Sequence, residues 1–338
     1  MKFIKPSVEI INEPDLFKRI EIAARTCYKS ESRRTDESAQ KMIPALIKRG
    51  HESPLEHSLI ALECFERHGK AIWHVFSQCA DESPGPLPFS TGWTCPYYPS
   101  DTIEIWMQSQ GIRISANYRV WLTVMRYIVD HWGDLSSDVH IVASWLVTNC
   151  REFSDIVLPP SSDVDDNTFW AHTEYNINDE IAYCGLPYTV HCRDYGAHGI
   201  ITARFICDRG VSHELVRHRC LSFSQESTRY INYKDGLTFV EPWWWPEQET
   251  SDTQFIRASC QAAEDAYCSL IASGASPQKA RCVLPNMLKT EVVATGTVEQ
   301  WQKLVLPLRL SKAAHPDIRR LMELFCEQLG WNPDDFRK

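Results

Sequence analysis

Fourteen consecutive residues, Arg217-His218-Arg219-Cys220-Leu221-Ser222-Phe223-Ser224-Gln225-Glu226-Ser227-Thr228-Arg229-Tyr230, hold three arginines, one histidine and three serines. Guanidinium groups present flat, forked donors that match phosphate oxygens, and serine hydroxyls fill the acceptors that remain. Cations this close repel one another unless an anion sits among them. The chemistry the cluster offers is therefore the binding of a phosphorylated ligand. Ser227 invites a nucleophile reading, but a serine nucleophile needs a positioned base and an orienting acid. The surrounding arginines disfavour a protonated histidine, so substrate orientation is the expected role.

His213-Glu214-Leu215-Val216-Arg217-His218 does not make a zinc site. A helical zinc motif needs histidines four apart on one face. These are five apart, about 140° around the helix. No metal is expected. The net charge is −9 over 338 residues, which argues against general nucleic-acid or anionic-membrane binding and makes the basic patch a local one. No stretch approaches the roughly 18 apolar residues of a membrane span, and the start lacks the apolar run of a signal peptide. A cytoplasmic protein is expected. Thirteen cysteines without a Cys-x-x-Cys pair read as buried free thiols.

The elements that must position the cluster follow from periodicity. Residues 14–28 and 36–50 read as helices, the second ending at Gly50. Gly50-His51-Glu52-Ser53-Pro54-Leu55-Glu56-His57 is a turn leading into a strand over 58–65. A second strand covers 200–207, and Asp208-Arg209-Gly210 turns into a helix across Val211–Arg219. The strands at 58–65 and 200–207 would make natural neighbours in one sheet, so 66–198 reads as an insertion. Within it, 81–99 is a proline-rich loop, 115–133 and 138–150 are helical, and Pro159-Pro160 breaks the chain. Further helices are expected at 251–275, from Pro277, at 298–312 and at 316–329. No internal repeat of clear period shows. Helices and strands mix without regular alternation, which makes the class α+β.

Arg-His-Arg, seven residues and then Ser227 resembles the signature of flavin-dependent thymidylate synthases. The segment 50–57 is similar to that family's Gly-His-Glu-Thr/Ser-Pro-x-Glu-His, and Ala280–Pro285 with Leu308-Arg309-Leu310 matches a third block. The resemblance implies a single domain over 1–338, a central mixed β-sheet flanked by helices, interrupted by the insertion at about 66–198. It implies reductive methylation of dUMP to dTMP, with methylene-tetrahydrofolate as carbon donor and FAD, reduced by NADPH, as hydride source. It also implies a homotetramer with active sites between subunits. By position, Glu214, Arg217, Gln225, Glu226, Ser227, Thr228, Arg229, Arg281 and Arg309 would bind dUMP. Ser53, Arg217, His218, Arg219 and Gln225 would meet FAD. Arg309, beside the uracil ring, and His51 would be catalytic; a cation near N3 lowers the cost of its anion. Glu56 and His57 would hold the turn to the sheet.

The chain departs from the family pattern at Gly296-Thr297-Val298-Glu299-Gln300-Trp301, where an Asn-x-Arg pair is usual and Thr297 and Glu299 stand instead. The insertion carries Asn117-Tyr118-Arg119, so Asn117 and Arg119 are assigned as substitute FAD contacts; the alternative is a helix start capped by Ser115 or Asn117. The departure also leaves open a catalytically silent, nucleotide- or flavin-binding homologue with a regulatory role. Trp243-Trp244-Trp245, between prolines, would stack on a cofactor ring or plug an interface.

Overall fold

The computed structural model describes residues 1–79, 93–94, 102–108, 111–159, 189–191 and 200–337. They divide into two compact units, Met1–His57 with Tyr195–Lys338, and Ser58–Asp194. Along the chain run β1 (Lys2–Ile4), β2 (Ser7–Ile10), α1 (Leu16–Tyr28), α2 (Ser38–Lys48), β3 (Ile60–Phe65), α3 (Glu66–Cys79), β4 (Trp93–Thr94), β5 (Thr102–Gln108) and β6 (Gly111–Ala116). Then come α4 (Tyr118–Asp130), α5 (Ser137–Asn149), β7 (Thr189–His191), β8 (Ile200–Asp208), α6 (Arg209–Leu215), β9 (Ser222–Gln225), β10 (Thr238–Val240), α7 (Ser251–Ala272), β11 (Lys289–Thr297) and α8 (Pro316–Gln328).

The first unit is built on a four-stranded sheet of order β2-β8-β11-β9, antiparallel throughout. Its spine is the β8–β11 ladder, in which Asp208 faces Lys289 and Ile200 faces Thr297. Caps set the helix starts: Asp15 accepts from the Lys18 N–H, and Asp208 from that of Val211, so α6 begins the moment β8 ends. On the sheet lies an aromatic core. Trp301 packs against Phe205 and Phe325, with ring centroids 6.0 and 4.5 Å away, and its indole N–H donates to the Ile201 carbonyl at 3.2 Å.

The second unit carries a five-stranded sheet, β4-β5-β6-β3-β7, also antiparallel. Tyr118, Trp121, Phe76 and Phe153 fill its core. The proline-rich run at 81–99 falls outside the described residues apart from 93–94, as does the break beyond Pro159.

Two expectations need correction. The strands at 58–65 and 200–207 do not share a sheet: β8 has both edges taken by β2 and β11, and β3 has both taken by β6 and β7. Among the described residues there is no single central mixed sheet either. The described sheets are small and antiparallel, and the parallel pair is β1 with β10, standing apart as two strands. Both misreadings come from pairing strands by chain order when their partners lie far along the sequence. Two helices also differ. The one expected over 211–219 stops at Leu215. The one over 298–312 begins as a π-helical stretch, Gln300–Val305, followed by the turn Leu306–Arg309. There the Leu306 N–H reaches back to the Trp301 carbonyl, one residue further than in an α-helix, and Pro307 offers no N–H at all.

The turn at 50–57 is pinned to the sheet by His57, as expected. Its Nδ1 lies 2.8 Å from Thr295 Oγ1 on β11, and its Nε2 lies 3.0 Å from Ser224 Oγ on β9. Complete burial pushes its pKa down to about 3. This lies below the ordinary histidine value, so as pH falls through about 6.5 the unfolded chain takes a proton that the folded chain refuses. His57 should therefore remove about 1.4 kcal/mol of stability per pH unit between roughly pH 6 and 4. Denaturation curves at pH 7.5, 6 and 5 should show this loss. A His57→Gln variant, less stable at pH 7.5, should lose less on acidification; an identical acid slope would clear His57 of the effect.

Candidate active site

The segment after α6 places Arg217 and Arg219 in solvent and buries His218 between them. Arg309, at the end of the helical stretch that follows β11, reaches this segment. Its Nε donates to His218 Nε2 at 2.6 Å, its Nη1 to Glu214 Oε2 at 3.0 Å, and its Nη2 to the Glu214 carbonyl at 2.7 Å. Accepting at Nε2 requires His218 to be neutral with its proton on Nδ1. Burial, and then the Arg309 charge, push its pKa down to about 4. Burial and the nearby Arg217 lower the Arg309 pKa, while Glu214 opposes them. Four residues assigned from the resemblance thus come together: Glu214, His218 and Arg309 through hydrogen bonds, and Arg217 through its charge.

A second group gathers after β9. Arg229 lies with Nε 3.4 Å from Gln278 Oε1 and over the ring of Tyr230, 5.4 Å from its centroid. Gln278 belongs to the one-turn helix Pro277–Ala280, which runs into the turn Arg281–Val283. Residues three apart share a helix face, so the Arg229 head sits beside the turn that presents Arg281. Ser227 is built into this corner: its N–H donates to the Cys27 carbonyl at 3.1 Å, and its Oγ accepts from the Arg229 N–H at 3.3 Å. Thr228 is buried next to it. The exposed rings of Tyr28 and Tyr230 stand 5.0 Å apart at the edge of the corner.

Gln225 and Glu226 face inward. Gln225 Nε2 donates to Ser212 Oγ and Thr290 Oγ1 at 2.9 and 3.1 Å. Glu226 is buried, accepting from Tyr233 Oη at 2.7 Å and Lys289 Nζ at 2.8 Å, while its N–H is bonded to the Glu291 carbonyl. Lys289 and Glu291 pair in turn, and Lys29 closes the network on Glu291. Sequence reading missed Tyr233, Lys289 and Glu291. A signal existed, because Lys289-x-Glu291 puts opposite charges on one face of a strand.

His51 and Ser53 are exposed on the turn that His57 anchors. Asn117 is buried in the second unit and caps α4, its Oδ1 accepting from the Val120 N–H at 3.0 Å; Arg119 lies in the first turn of that helix. Glu299, in the place of the usual arginine, is paired with Lys303 one turn on. Trp245 stacks on Phe3 at 5.2 Å, with Arg257 over both rings, whereas Trp243 and Trp244 stay largely exposed. Among the described residues, no cluster of three or more metal-ligating side chains occurs, and no helix is long and apolar enough to cross a membrane.

The Arg309–His218 contact makes a spectroscopic prediction. Replacing Arg309 by Gln removes a charge that disfavours the imidazolium. The His218 ring resonance should then titrate at higher pH than in the parent chain. An unmoved titration would show that the two side chains do not meet.

Comparison with known proteins follows the same residues. The model of the family described as thymidylate synthase complementing protein matches 9–67 and 195–330. The flavin-dependent thymidylate synthase of Geobacter sulfurreducens is 35% identical over 131 residues, covering 38% of this chain and 56% of that protein. The one from Mycobacterium bovis is 33% identical over 137 residues, covering 36% and 54%. The chain thus spans about half the length of the curated relatives it matches. Among solved structures, the UMP/dUMP methylase PolB from Streptomyces cacaoi bound with 5-Br UMP is similar with 25% identity and a TM-score of 0.32, over 39% of this chain and 66% of that one. The same protein bound with 5-Br dUMP gives 22% and 0.32, over 56% and 81%. With its family match covering more than half of its residues, in two blocks that hold the arginine cluster and its anchoring turn, this chain belongs to the family of thymidylate synthase complementing proteins.

Proposed function

We propose that this chain is a flavin-dependent thymidylate synthase, converting dUMP to dTMP with methylene-tetrahydrofolate as carbon donor, NADPH as reductant and FAD as cofactor. The observation that carries the reading is the joining of Arg309 to the Arg217–Arg219 segment through His218 and Glu214. Relatives at 33–35% identity named for this activity support it.

In this reading Arg229 and Arg281 neutralise the nucleotide phosphate, with Ser227 and Thr228 beside them and Gln225 and Glu226 forming the strand beneath. Arg309 holds its charge toward the uracil ring, where a cation stabilises the N3 anion. Neutral His218 serves that purpose by accepting from Arg309 without adding a second positive charge. Glu214 fixes the other edge of the guanidinium and fine-tunes its field. His51 works from the rim of the site.

The donor set fits FAD. Arg217 and Arg219 are exposed, and neither pairs with a carboxylate among the described residues, which leaves two cationic forks for a pyrophosphate. Ser53, His218 and Gln225 would complete the contacts; Asn117 is not among them, because it is buried with its Oδ1 engaged by the Val120 N–H as the cap of α4. When bound, the flavin supplies the two-electron reduction that the side chains cannot. A homotetramer with active sites between subunits belongs to the same proposal.

The deciding experiment is an anaerobic assay of the purified chain with dUMP, methylene-tetrahydrofolate, NADPH and FAD, following dTMP by chromatography. Product that depends on added FAD is expected. Retained binding of FAD and dUMP without product would instead favour the silent homologue. Loss of a charged hydrogen-bond partner is worth about 1.5–3 kcal/mol, so Arg281→Ala should weaken dUMP binding by roughly 10–100-fold in a calorimetric titration.

A further inference from the structure

One stretch in each unit follows the same plan. In the first unit the antiparallel order is β2-β8-β11-β9; in the second, the order β7-β3-β6-β5 is antiparallel at every step. β8 passes directly into α6, and β3 directly into α3. β11 and β6 each lead into a helical stretch whose tryptophan locks back onto the paired strand. Trp301 Nε1 donates to the Ile201 carbonyl at 3.2 Å, and Trp121 Nε1 to the Ile60 carbonyl at 3.0 Å. The registers agree to the residue. Ile201 pairs with Gly296, and Trp301 lies five positions past Gly296 (301 − 296); Ile60 pairs with Ala116, and Trp121 lies five past Ala116 (121 − 116). The caps agree as well: Thr297 Oγ1 accepts from the Gln300 N–H at 3.1 Å, and Asn117 Oδ1 from the Val120 N–H at 3.0 Å, each from the position after the paired residue. Both tryptophans are fully buried.

Counting from these fixed points shows what differs. The places of Glu214, Arg217, His218 and Arg219 fall on Trp73, Phe76, Ser77 and Gln78, and that of Arg309 on Val129. Every ionisable member of the cluster is replaced, and Trp73, Phe76 and Ser77 are buried. We infer that residues 60–130 are a divergent second copy of the framework at 201–310, a built-in silent partner that keeps the scaffold and holds no second nucleotide site. The inference rests on the nucleotide reading of the first unit for the identity of the ligand, not for the duplication.

Calorimetric titration of dUMP into the FAD-supplied full chain tests it. One equivalent per chain is expected, and Arg217→Ala should weaken that site more than tenfold and leave no other. Two equivalents, or a tight site surviving in Arg217→Ala, would overturn the silent copy. Should no dUMP bind, the functional proposal fails, and the duplication is decided separately by Trp121→Phe and Trp301→Phe. Each variant strips the same indole donor from the same carbonyl position, so both should lower the thermal midpoint by similar amounts. A drop in only one of them would refute the equivalence.

Discussion

Everything proposed for the first unit hangs on the length of the β8–β11 ladder. Nine residues of antiparallel strand extend about 30 Å. The chain leaves β8 at one end of this ladder and β11 at the other, and both exits fold back as helical stretches. The seven residues of α6 cover about 10 Å at 1.5 Å per residue, and the rest of the distance is met by the π-helical stretch and turn that lead from Thr297 to Arg309. Arg309 and the 214–218 segment therefore come to meet although they are far apart in sequence. A ladder two residues longer or shorter on one side would carry them past each other or leave a gap, so the sheet works as the ruler for the site.

At the meeting point, the choice of a neutral imidazole has consequences for charge. Arg217, Arg219 and Arg309 already crowd the segment with positive charge, and Glu214 balances only part of it. A protonated His218 would add another cation with no carboxylate of its own. Burial and the Arg309 field hold it neutral instead, leaving Nε2 free to accept. The outcome is an arginine oriented on one edge by a neutral imidazole and on the other by the Glu214 carboxylate and carbonyl, so that only Glu214 offsets its charge.

Much of this was legible from local rules. Asp15, Asp208 and Thr250 start helices where capping chemistry says they should. His57 holds its turn to the sheet as read. Strand partnership was not legible. Ile200–Asp208 pairs with Lys289–Thr297 across some 80 intervening residues, and no local pattern encodes which distant strand supplies an edge. The inward role of Glu226 was hidden for a related reason. A carboxylate beside serines and arginines reads as part of an anion-handling surface until the strand direction turns it toward Lys289 and Tyr233.

The internal repeat escaped notice because it is kept in roles and not in residues. Thr297 and Asn117 perform the same capping with different side chains, and Gly296 and Ala116 share one register position. The loss of charge in the second copy is also tied to backbone length. α6 stops at Leu215, which frees Arg217 and Arg219 to reach solvent, whereas α3 runs on to Cys79 and draws Phe76, at the place of Arg217, into the core, with Gln78, at the place of Arg219, left exposed and uncharged. An arginine at the buried place of Phe76 would have to shed its hydration with no partner, at a cost of several kcal/mol. Early helix termination is the backbone feature that accompanies the exposed arginines of the first copy, and the longer helix accompanies the apolar Phe76 of the second.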